Sequence, residues 1–68
     1  MSLKYIRRTY GVPAKRGMRV MVKAFDGPCE GRITSSRGPH IVVAPDPWPN
    51  ARLIYHPTDV VYLEGSRP

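Results

Sequence analysis

The sequence predicts an all-β fold, a small and highly curved antiparallel sheet of five short strands. Three observations carry that expectation. Residues 15–46, KRGMRVMVKAFDGPCEGRITSSRGPHIVVAPD, are short apolar segments cut apart by glycine and proline, the pattern of strands joined by tight turns. With 68 residues there is room for one domain. A hydrophobic content of 41%, gathered into clear runs, is too high for a disordered chain.

Taken in order, residues 1–14 are expected to form an extended basic arm. Leu3, Tyr5, Ile6 and Tyr10 show no clean helical or strand period over so few positions, so the arm should lie along the sheet with Tyr5 or Ile6 packed down. Residues 15–64 are expected to be the barrel domain and residues 65–68 a disordered tail. Lys15-Arg16-Gly17 is the turn that launches the first strand. Over residues 18–25, Arg19, Met21 and Lys23 alternate with Val20, Val22 and Ala24, which puts the valines in the core and the cations in water. Asp26-Gly27-Pro28 reads as a tight turn. Residues 30–35 form the second strand, pinned inward by Ile33, and Gly31 within it marks a bulge or sharp bend. A loop over residues 35–39 leads to HIVVA, residues 40–44, apolar enough to be the buried central strand.

Three prolines in residues 45–49 cannot join a ladder, so this stretch is a stiff exposed loop. Trp48, held between two of them, either caps one end of the barrel or presents a rigid aromatic to a partner. Residues 51–55 form the fourth strand, His56-Pro57-Thr58-Asp59 a one-turn 3₁₀ connection, and residues 60–63 the fifth strand.

The net charge is +6, with an isoelectric point near 10.1. Lys4, Arg7, Arg8, Lys15, Arg16, Arg19 and Lys23 all precede the first acid, Asp26, while the rest of the chain is nearly balanced. Such a layout suits a surface that meets a polyanion. Tyr5 and Tyr10, interleaved with Arg7 and Arg8, could stack on bases while the cations meet phosphates. Catalysis finds little to work with. His40 and His56 have no partner at metal or triad spacing, and Cys29, the single cysteine, permits neither an internal disulfide nor a cysteine zinc site. No Gly-x-x-x-x-Gly-Lys run cradles a phosphate. Residues 1–10 lack the apolar stretch of a secretory signal, and no apolar run nears the ~20 residues of a membrane span. A soluble cytoplasmic protein of phage-like or bacterial economy is the expectation.

The five short strands, the turn before the last of them, Gly17-Met18-Arg19-Val20 and Gly31-Arg32-Ile33 resemble the Src-homology-3-like small barrels, including their KOW-type variants. That resemblance covers about residues 15–63 and implies a five-stranded barrel. The chain is also similar to short prophage and plasmid proteins with a Val-Pro-Ala-Lys-Arg-Gly opening, here residues 12–17, and a late His-Pro, here His56-Pro57; no established activity comes with that likeness. More distantly it resembles the plasmid-borne type II dihydrofolate reductases, tiny barrels that form a tetramer around one pore. Their Val-Gln-Ile-Tyr strand corresponds to Arg52-Leu53-Ile54-Tyr55, and Lys23 lies near the position of a pore lysine. The resemblance would imply NADPH as cofactor, with Lys23, Ile54 and Tyr55 at the site. Leu53, however, stands where those enzymes carry a glutamine, and leucine makes no hydrogen bonds to a nicotinamide or pterin.

The resulting expectation is a non-enzymatic module without a cofactor or metal. It would bind nucleic-acid phosphates through Lys4, Arg7, Arg8, Lys15, Arg16, Arg19 and Lys23. The alternative is a protein-interaction or self-assembly module using Trp48, Tyr10 and the exposed edge strands. Reductase activity in a tetramer is the third reading.

Overall fold

The computed structural model describes residues 2–25 and 27–63; the expected tail over residues 65–68 lies outside them. Five strands form one antiparallel sheet: β1 (Arg19–Ala24), β2 (Gly27–Arg37), β3 (His40–Pro45), β4 (Leu53–Tyr55) and β5 (Val61–Tyr62), preceded by one short helix, α1 (Leu3–Tyr10). The all-β expectation holds, and the arrangement is consistent with a small Src-homology-3-like fold. The strand order is β4-β3-β2-β1-β5, so the sheet has two ends and is not closed.

The N-terminal segment is not an extended arm. It is helical because its two ends are capped. The Ser2 side chain accepts from the Tyr5 backbone N–H at 3.2 Å, and Gly11, at φ 65°, donates its N–H to the Arg7 carbonyl at 3.0 Å. A serine N-cap and a left-handed glycine at the other end satisfy groups an eight-residue helix would otherwise leave bare. Leu3, Ile6 and Tyr10 then fall on one face, with Ile6 fully buried. Ile6 and Ala14 share one core with Val20, Val22, Ile33, Ile41, Val43 and Val60.

The valines of β1 point inward as expected, while Lys23 is exposed and Arg19 half-buried. Gly27 and Pro28 belong to β2 rather than to a turn, since Ala24 pairs with Gly27 and Lys23 with Pro28. The proline is tolerated for a specific reason. The Arg19 carbonyl accepts from Leu63 N–H on the β5 side, and alternate residues of a strand turn their peptide groups the same way. Lys23 therefore also faces away from β2, and no ladder bond is missed at Pro28.

Gly31 does not form the bulge. The register between β2 and β3 shifts between Ile33 and Ser35, leaving Thr34 as the extra residue. Gly31 instead sits opposite Pro45, where a Cβ would lie 2.7 Å from the Ala44 carbonyl oxygen and 3.0 Å from the Pro45 Cα. Only hydrogen fits between the two strands there. β2 also runs on to Arg37, so the expected five-residue loop shrinks to Gly38-Pro39. With Gly38 at φ 56° followed by proline, the sign pattern is that of a type II′ hairpin. The connection over residues 56–59 is one turn closed by Asp59 N–H to the His56 carbonyl at 2.9 Å, and it does not continue as a 3₁₀-helix.

Strong curvature brings the end of β4 over to β1, which is not its ladder neighbour. The Tyr55 hydroxyl donates to the Lys23 carbonyl at 2.5 Å, which puts a partner on a carbonyl that lies beyond the end of β5. No helix among the described residues is long and apolar enough to cross a membrane.

Candidate functional site

The seven early cations do not form one surface. Arg19 is removed from it. Its Nε donates to Glu30 at 2.8 Å and its Nη2 to Asp46, and these are the two ion pairs among the described residues. The fold builds this clamp locally. The close approach at Gly31–Pro45 sets the neighbouring residues Glu30 and Asp46 side by side, with Asp46 N–H donating to the Glu30 carbonyl at 2.9 Å. Its hydrogen bonds to Asp46 first and Glu30 second hold the Arg19 guanidinium above its ordinary pKa. Arg19, expected to meet a polyanion, is thus paired with two of the molecule's own carboxylates.

Arg7 is half-buried, and its Nη1 donates to the Ala14 carbonyl at 2.8 Å. That bond ties the segment after the helix back to α1, just ahead of Lys15 and Arg16. Lys4, Arg8, Lys15 and Arg16 are all exposed. None of the four makes an ion pair with a described residue. Lys4 and Arg8 stand one turn apart on α1, and with Ser2, Tyr5 and Thr9 they line a shallow concavity along the outer face of the helix. Arg7 and Arg8 in the last turn are favourable to the helix dipole, but the first turn holds Lys4 and no acid.

Lys23 lies elsewhere, in a groove with Met21, Val22, Pro28, Tyr55, Asp59 and Val61. Lys23 and Tyr55, two of the residues implied by the reductase resemblance, do come together there. Ile54 is half-exposed on β4. The set still does not fit a nicotinamide. Leu53 offers hydrocarbon where a paired donor and acceptor are needed, and the Tyr55 hydroxyl is occupied by the Lys23 carbonyl. Burial, with the nearby Cys29 as a smaller cause, raises the Tyr55 hydroxyl above its ordinary pKa.

Tyr10, expected to meet a partner, is half-buried. It packs against the core and stands edge-on to the His56 ring at 5.0 Å. His56 Nδ1 accepts from the Thr58 backbone N–H at 3.2 Å, and its ring meets His40 at 5.9 Å. This contact between distant histidines was invisible in sequence, where they lie sixteen positions apart. No group of three potential metal ligands occurs among the described residues. Trp48 is 37% exposed and outside the core cluster; it meets Phe25, 67% exposed, edge to face at 5.0 Å. Phe25 is the residue sequence reasoning passed over, because a strand-end aromatic reads as core.

Comparison with protein-family models, with curated proteins and with solved structures finds no match to this chain.

Proposed function

We propose that the protein is a non-enzymatic module that binds the phosphate backbone of a nucleic acid on the outer surface of α1 and the loop after it. One observation carries this reading. Lys4, Arg8, Lys15 and Arg16 are exposed and have no acidic partner among the described residues, while Glu30 and Asp46 are gathered on Arg19. A cluster of unopposed cations raises the local potential and draws a polyanion to it. Arg7 acts as the brace that fixes the loop, and Arg19 takes no part.

The test is fluorescence anisotropy of labelled DNA and RNA across a salt series. Each phosphate neutralised on a duplex steepens the fall of log affinity with log salt by about 0.9. The double variant Lys4→Ala/Arg8→Ala should weaken binding and flatten that slope by about two such steps. Absence of binding at low salt, or binding indifferent to salt, overturns the reading.

A second reading is favoured by the exposed Phe25–Trp48 pair, which is the kind of rigid aromatic anchor found at protein interfaces. Light scattering at rising concentration tests self-association through it; a monomer throughout counts against the pair as a self-contact.

A further inference from the structure

From the placement of Tyr5 we infer that the nucleic acid taken by this surface is single-stranded, with one base stacked on the Tyr5 ring between the Lys4 and Arg8 side chains. The inference rests on the phosphate-binding reading above and narrows it to one class of ligand.

The chain has four tyrosines, and the structure uses three of them. Tyr10 stands edge-on to His56. The Tyr55 hydroxyl donates to the Lys23 carbonyl at 2.5 Å, and the Tyr62 hydroxyl to the Pro57 carbonyl at 2.7 Å. Tyr5 differs from all three. It is 46% exposed, and among the described residues neither its ring nor its hydroxyl has a partner. It also lines the concavity on α1 together with Lys4 and Arg8. Phe25 and Trp48 are exposed as well, but each already has the other against it.

Four residues of helix advance about 6 Å, and Lys4, Tyr5 and Arg8 line one concavity, so a base stacked on the Tyr5 ring keeps its neighbouring phosphates within reach of both cations. A duplex keeps its base faces buried in its own stack, and a tyrosine ring has nothing to lie on there. An unpaired strand offers a free π-face at every nucleotide. The other residues lining the concavity, Ser2 and Thr9, are small hydroxyls. Every base has a π-face to lay on a tyrosine ring, so stacking of this kind is tolerant of sequence.

The experiment compares the full chain on a short fluorescein-labelled oligothymidylate and on a labelled hairpin duplex of equal phosphate count, with Tyr5→Ala, Tyr5→Phe and Lys4→Ala/Arg8→Ala. The single strand should bind more tightly. Tyr5→Ala should lose roughly tenfold on the single strand with the salt slope unchanged, and Tyr5→Phe should keep nearly all of it. A melting curve matching that of the parent shows that each variant is folded. If Tyr5→Ala binds the single strand as well as the parent does while the double variant weakens on both probes, the stacking inference falls and phosphate binding stands. If the parent binds neither probe at low salt, both fall.

Discussion

Arg19 on β1 and Arg8 on α1 are the same residue type in the same basic third of the chain, and the fold puts them to opposite uses. Arg19 lies between two carboxylates brought together by a close strand crossing. Arg8 stands on a helix without an acid, facing outward. Net charge therefore says little about which cations are available; the placement of the acids decides it. Satisfying an arginine internally makes it a structural part, and leaving one unopposed keeps its charge available.

The sharpest way to break the contrast is at the strand crossing. Gly31→Ala forces a Cβ against backbone atoms of Ala44 and Pro45 and should cost about 3 kcal/mol by chemical denaturation, with the clamp disordered. Removing the cation instead, in Arg19→Ala, leaves Glu30 and Asp46 unneutralised. All three side chains are partly solvated, so the loss should be about 1 kcal/mol, and anisotropy should show nucleic-acid affinity unchanged. Gly11→Ala, at φ 65°, should also cost about 1 kcal/mol, but here the helix that carries Lys4 and Arg8 loosens, so affinity should fall along with the melting temperature. Lys4→Ala/Arg8→Ala is the mirror image of Arg19→Ala: stability should stay within about 0.5 kcal/mol while binding drops.

Alkaline pH tests the buried tyrosine hydroxyls. Burial raises the hydroxyl pKa of both Tyr55 and Tyr62. The folded chain then holds those protons more tightly than the unfolded one, where tyrosine titrates near 10. The stabilisation is complete below that pH and is lost as pH climbs through the raised values. Melting temperature should fall above about pH 10, and Tyr55→Phe should reduce the slope.

The strands were legible because alternating β-branched residues bounded by glycine and proline leave few other options. The helix was missed although its signs were present. Ser2 and Gly11 bracket Leu3, Ile6 and Tyr10 at three- and four-residue spacing, but eight residues give barely two turns of period, and basic residues next to aromatics read equally well as an arm. The fate of Arg19 was not legible at all. Its partners lie 11 and 27 positions along the chain, and only the register of β2 on β3 brings them together. Gly31 stood out in the sequence as a bulge or a sharp bend; the bulge falls at Thr34 instead, and the close approach of Gly31 to Ala44 and Pro45 depends on a register that sequence does not show.

The two outer strands are three and two residues long, and the backbone oxygen just past the shorter one is already taken by a phenol from the opposite margin. Among the described residues both margins are short strands, which are poor templates for pairing with another chain. Short outer strands lessen that hazard in a sheet that does not close.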